Sequence, residues 1–305
     1  MTTATESTSH SERLSCMEVW GGNNETDAVI DRPGVTCRVR SRSYGSADGG
    51  GDVYFLSSCS SGRLTRFLLA DVCGHGESAA ETAIGLRDLM RRNVNRIRQK
   101  QLMQSVNREL AAADMTGRFA TALVGTWMSS TSRMTLSNAG HPTPLLYRAA
   151  TQTWSECVTQ ATTTVAMQNM PLGIDSRVSY SEFQIKLKPG DLLLCYTDAL
   201  SESVDENGNY LQTSGLANVV RSLGRPRVES FVPDLLDRLT DMAADNLDRD
   251  DVTVMLFEAT SRPVPVRDSL LAPWRYLQGL MSDRVTSRIP SLPATPELAS
   301  TNDAR

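Results

Sequence analysis

Histidine is scarce here. Of 305 residues only three are histidine, at positions 10, 75 and 141. Six cysteines, at 16, 37, 59, 73, 157 and 195, form no C-x-x-C pair. Those spacings exclude a zinc-type cluster of nitrogen and sulfur ligands and fit reduced, mostly buried thiols. Long apolar runs are also missing: none reaches the roughly 20 residues that span a bilayer. The opening "MTTATESTSHSER" has no basic segment leading into an apolar one, so it does not read as a secretory signal. Nor is there an excess of positive charge: 31 Lys and Arg face 35 Asp and Glu, a net charge of −4. That balance leaves no footprint for nucleic acid. Together these absences predict a cytoplasmic protein that binds neither nucleic acid nor membrane.

Apolar residues are plentiful, at 40%. That suits one large domain with tails. Residues 1–30, rich in Ser, Thr, Glu and Asn, read as a flexible N-terminal arm. Residues 31–260 read as the domain, and 261–305 as a Pro- and Ser-rich tail. Within the tail, Leu270, Leu271, Trp274, Leu277 and Met281 share one face at helical spacing, which predicts a short amphipathic helix over 268–281.

"VTCRVRSRS", "GDVYFLSS" and "RLTRFLLADV" alternate or run apolar as strands do, and 51–72 reads as a hairpin. Ala80, Ala83, Ile84, Met90, Val94 and Ile97 fall at helical spacing, as do Leu102, Val106 and Leu110. This predicts two helices over 77–113 with a break near 98–101. "FATALVGTWMS", "RMTLSNAG", "PTPLLYR" and two strands around the Pro189-Gly190 turn extend the sheets. Helices over 214–223 and 229–245 and a last strand, "DVTVMLFEA", follow; 151–180 gives no clear pattern. Strands and helices come in blocks, not in alternation. The expected class is therefore a layered α+β protein with largely antiparallel sheets.

Four aspartates share one context. Asp52 opens an apolar strand after three glycines, Asp71 and Asp198 end apolar strands, and Asp250 opens the last strand. A carboxylate at the end of a buried strand is unfavourable unless something compensates it. Brought together, such ends make an oxygen-rich cup suited to magnesium or manganese. Taken singly, each aspartate equally suits a turn or a helix cap. Gly74 and Gly76 allow a sharp turn after Asp71, so a carbonyl there can also face a metal.

The ordered pieces "GGGDVYF", "LLADVCGHGESAAETA", "FATALVGTWMSSTSRMTLSNAGHPTPLLYR", "PLGI", "GDLLLCYTDALSESVDENG" and "DRDDVTVMLFE" resemble the SpoIIE-like bacterial branch of the metal-dependent (PPM, or type 2C-like) protein phosphatases. The resemblance runs over about residues 34–259. It implies two mainly antiparallel β-sheets flanked by helices, with two Mn2+ or Mg2+ ions at one edge. The implied metal ligands are Asp52, Asp71, the backbone carbonyl of Val72, Asp198 and Asp250, with Asp251 as a further contributor.

The implied activity is hydrolysis of phosphoserine or phosphothreonine by a water that two metal ions activate. The implied substrate is a phosphorylated bacterial regulatory protein of the anti-anti-sigma type. A catalytically silent binding module, or a hydrolase of another phosphate ester, would use the same fold. His75 is a candidate general acid, although it lies four residues past Asp71. His141, in "NAGHP", reads as a turn residue. Two positions depart from the family pattern: Phe55 stands where a second Asp often occurs, and Ala199 replaces the glycine after Asp198.

Overall fold

The computed structural model describes residues 10–12, 19–45, 49–59, 62–74, 77–94, 96, 98–112, 118–157 and 169–262. Two β-sheets pack face to face. One has seven strands: β1 (His10–Glu12), β3 (Thr26–Arg32), β4 (Val35–Arg42), β13 (Val252–Ala259), β12 (Leu192–Tyr196), β9 (Leu145–Arg148) and β10 (Thr153–Glu156), in that spatial order. The other has six, ordered β11 (Phe183–Lys186), β8 (Arg133–Ala139), β7 (Ala120–Met128), β6 (Leu64–Val72), β5 (Asp52–Cys59) and β2 (Val19–Gly22). All pairings are antiparallel except β1 with β3.

Helices cover both outer faces. α1 (Glu77–Asn93) and α2 (Gln99–Ala112) lie on the six-stranded sheet. The short α3 (Asp198–Ser201), α4 (Gln212–Ser222) and α5 (Phe231–Met242) lie on the seven-stranded one. Three apolar cores result. Leu56, Phe67, Trp127, Leu193, Met255 and Phe257 fill the space between the sheets. Two further cores lie under the helix layers. Buried strands with side chains packed on both faces explain the near-continuous apolar runs of β6, β12 and β13. Among the described residues no helix is long and apolar enough to cross a membrane.

One buried cation secures the α1–α2 layer. Arg66 of β6 is 1% exposed. Its Nη1 donates to the carbonyls of Val94 (3.0 Å) and Arg96 (2.9 Å), and its Nε to Thr126 Oγ1 (3.2 Å). The helix break lies between Asn93 and Gln99, a few residues before the expected 98–101, because the chain must leave α1 to reach this tether.

The N-terminus differs from the flexible arm read from its composition. β2 pairs antiparallel with β5, and the Trp20 ring lies 5.3 Å from that of Tyr54. β3 pairs with β4 over seven residues, and Ile30 is fully buried. β3 is an outer strand that alternates buried and less buried positions and has polar residues at both ends, and β2 is only four residues long with two glycines, so the composition of the segment resembles a linker. In 151–180, where no pattern was legible, β10 makes a short edge strand. The predicted tail helix over 268–281 lies outside the described residues.

Removing residues 1–30 would strip β2 and most of β3 and uncover Tyr54 and Val39. Burial of the larger side chains in those strands contributes about 1.5–3 kcal/mol each. The truncated chain is therefore expected to melt at least about 10 °C lower, or to be insoluble. An unchanged melting temperature would show that the segment is dispensable.

Candidate metal centre

The carboxylates gather where the two sheets meet. Asp52 opens β5 directly opposite Asp71 near the end of β6. The seven-stranded sheet supplies the others: Asp198 follows β12, and Asp250 and Asp251 precede β13. Asp52 is almost completely buried, Asp71 and Asp198 are half-buried, and Asp250 is exposed.

Electrostatics report the same gathering. Burial, then the charges of Asp198, Asp250, Asp251 and Glu202, push the Asp71 carboxyl up to about 7. Burial, Glu202 and Asp250 raise Asp198 to about 6. Asp52 is pushed well above the usual carboxylate range by burial and by Asp71. Among the described residues no lysine or arginine forms an ion pair with Asp52, Asp71 or Asp198.

Hydroxyls orient the deepest carboxylate. Thr197 Oγ1 donates to Asp52 Oδ2 at 2.9 Å, and the Thr253 side chain also hydrogen-bonds Asp52. Thr253 in turn shares a 2.8 Å hydrogen bond with Ser41 Oγ. Both threonines come from the opposite sheet, so Asp52 is held from across the interface. The Val72 carbonyl faces the turn before β5: a Cβ placed on Gly51 would stand 3.2 Å from it.

This donor set fits hard divalent cations. It offers only oxygen, it is uniformly negative, and part of it is buried without a counter-charge. No three acidic, histidine or cysteine side chains among the described residues already enclose a metal-sized space.

Residues 61–260 match the family model of stage II sporulation protein E (SpoIIE). The chain belongs to the SpoIIE family. Its fold is that of the PP2C-type serine/threonine phosphatase domain. The RsbU and RsbW domains of Rv1364c from Mycobacterium tuberculosis superpose with a TM-score of 0.64 at 20% identity, covering 85% of this chain and 72% of that one. The PP2C phosphatase domain of the cell-fate determinant SpoIIE from Bacillus subtilis, with a fragment of its regulatory domain, gives 0.58 at 16%, covering 80% and 64%. The catalytic domain of the serine/threonine phosphatase PstP, in complex with two manganese ions, gives 0.51 at 16%, covering 74% and 98%. No curated protein sequence is significantly similar to the chain.

The departures from the SpoIIE-family pattern are structurally mild. Ala199 lies inside α3 and outside the positive-φ region, so its methyl adds no backbone strain. Phe55 is fully buried in the core beneath α1. Gly74 has a φ of +102°, the left-handed turn its position required; His75 and Gly76 lie outside the described residues. Cys73 is exposed, and its amide donates to the Phe119 carbonyl at 2.9 Å.

His141 is buried. Its Nδ1 shares a 2.8 Å hydrogen bond with Thr121 Oγ1, and burial pushes its pKa down to about 3. It is therefore neutral at physiological pH and unsuited to act as an imidazolium donor. Both oxygens of Asp251, read as a further ligand, accept backbone amides: Oδ1 that of Tyr44 (2.6 Å) and Oδ2 that of Gly51 (2.5 Å). Sequence reading passed over Thr197, Thr253 and Glu202. Their signal was present, since each lies one to four residues from a chosen aspartate within the same motif.

The raised carboxylates dictate a pH dependence for the metal-free protein. Their folded-state pKa values exceed those of the unfolded chain, so the folded form holds protons that the unfolded form has lost. Their stabilising contribution is complete at acid pH and is lost as the pH rises through about 6 and about 7. The metal-free protein is expected to melt lower at pH 8 than at pH 5.5. Asp71→Asn, which removes the repelled charge, should raise the pH 8 value. Thermal unfolding in a chelator checks both; a flat profile from pH 5.5 to 8 would contradict the assignment.

Proposed function

We propose that the protein is a metal-dependent serine/threonine phosphatase acting on a phosphorylated regulatory protein. The observation that carries the reading is the placement of Asp52 and Asp71 face to face on adjacent strands, with Asp198 and Asp250 brought up from the other sheet. Asp52, Asp71, Asp198, Asp250 and the Val72 carbonyl would hold two Mn2+ or Mg2+ ions. When bound, such a pair supplies Lewis acidity and an activated water for attack on phosphorus.

The chain's own contribution is positioning. Thr197 and Thr253 fix the orientation of Asp52, and the buried strand ends hold the carboxylates in place before substrate arrives. Phosphoryl transfer asks little covalent chemistry of a protein, so positioning and charge suffice. Membership of the SpoIIE family and structural likeness to RsbU and SpoIIE phosphatase domains support a signalling partner of the anti-anti-sigma type, in the cytoplasm.

A small surface pocket beside the Asp250 end of the cup is lined by Glu202, the exposed Tyr210, Asp245, Arg249 and Asp250.

The test uses the purified full-length protein, stripped of metal and assayed on an aryl phosphate and on a panel of phosphoproteins. Hydrolysis is expected only with Mn2+ or Mg2+ restored, and phosphoserine or phosphothreonine protein should be preferred. Asp71→Asn should lower kcat at least about 100-fold in a folded protein, because it would remove a carboxylate that holds the cations. Cys73→Ser should change it little, since no thiol takes part. Near-normal turnover by Asp71→Asn, or loss of activity in Cys73→Ser, would overturn the mechanism.

A further inference from the structure

Three consecutive glycines, Gly49–Gly51, precede Asp52, and both sides of their turn are gripped. Asn23, only 5% exposed, donates from its side-chain Nδ2 to the Gly50 carbonyl at 3.0 Å, and its main-chain carbonyl accepts the Gly50 amide at 2.9 Å. On the other side the carboxylate of Asp251 accepts the amides of Gly51 and Tyr44. A Cβ on Gly49 would stand 2.7 Å from Asn23 Nδ2, and one on Gly50 would stand 2.3 Å from Asp251 Oδ1. Only glycine lets both groups approach so closely. The Gly51 carbonyl then accepts the Val72 amide at 3.2 Å, which joins the turn to the end of β6.

Building on the two-cation reading, we propose that Asn23 and Asp251 form a clamp on the Gly49–Gly51 turn, and that this clamp sets the protein's affinity for divalent cations. A triple-glycine turn has more backbone freedom than any other tripeptide and would otherwise sample many conformations. The residue that follows it is Asp52, and the strand end it touches carries the Val72 carbonyl. Freezing the turn in advance removes an ordering penalty that cation binding would otherwise carry. Asn23 and Asp251 are positioning residues in this account. Asn23 bears no charge and belongs to the segment whose composition resembled a flexible arm. Asp251 cannot be replaced by asparagine without loss: both of its oxygens accept N–H groups, whereas an amide offers one acceptor and sets its NH2 against a backbone donor.

Calorimetric titration of MnCl2 into the metal-stripped full-length protein, well below its melting temperature, tests the clamp. Asn23→Ala and Asp251→Asn should each weaken Mn2+ binding about 10- to 100-fold, without change in stoichiometry. The double variant should lose less than the product of the two, because both residues hold one turn. Asn107→Ala is the matched control. Asn107 is fully buried, and its side chain makes two hydrogen bonds, to the main chain of Asp175 and Gly173, away from the carboxylate cluster, so its loss is at least as large as that in Asn23→Ala. It should bind Mn2+ as the wild type does, even where its melting temperature falls.

Wild-type affinity in Asn23→Ala overturns the clamp, as does an equal loss in Asn107→Ala. Weakening in Asp251→Asn alone would make Asp251 a ligand and likewise overturn the clamp. A wild type that binds no Mn2+ would remove the two-cation reading and the clamp together. Should Asn23→Ala fail to fold, hydrogen exchange in the metal-free wild type still decides. Slow exchange of the Asn23 side-chain amide and of the Gly51 amide is expected, and exchange of either at the unfolded-chain rate would refute the proposal.

Discussion

Repulsion among carboxylates at the meeting edge of two sheets is the constraint from which the rest follows. Asp71 sits among Asp198, Asp250, Asp251 and Glu202, and its carboxyl is pushed up to about 7. A single domain keeps such a cluster only if the remaining structure holds it by force of packing. The inter-sheet core does so. β5 and β6 carry Asp52 and Asp71, while β12 and β13 bring Asp198 and Asp250 across from the other layer. Neither sheet contains the whole set, so the site exists only while the two sheets are packed.

The polar groups around the cluster are placed to hold it, not to neutralise it. Thr197 and Thr253 give hydroxyls to Asp52, and backbone amides satisfy Asp251. Hydroxyls and amides orient a carboxylate while leaving its negative charge available to a cation, whereas an arginine in the same place would cancel it. The proposed metal-activated water would need no nucleophilic serine or cysteine, and the buried thiols of Cys37 and Cys195 are pushed well above the usual range by burial. His141, buried and neutral, does not serve as an imidazolium donor.

Much of this was legible in the sequence, for physical reasons. Strands buried on both faces produce long apolar runs, and an aspartate closing such a run stands out, so β5, β6, β12 and β13 announced both themselves and their terminal carboxylates. The break between α1 and α2 showed in the apolar spacing. β2 and β3 did not show, because a four-residue strand with two glycines and an outer strand with polar ends have the composition of linkers. Asn23 was lost with them: a buried amide that grips a turn residue 27 positions away leaves no local signature. The glycines before Asp52 were visible, but their purpose was not. Close approach by Asn23 and Asp251 is a property of the assembled fold, and no periodicity encodes it.

The central claim is that these strand ends form one centre for two divalent cations. The most direct measurement is anomalous diffraction from crystals of the protein grown or soaked with manganese. The account predicts two manganese peaks within the cup of Asp52, Asp71, Asp198 and Asp250, with the Val72 carbonyl as a further ligand. Full manganese loading with no peak among these four aspartates would contradict it.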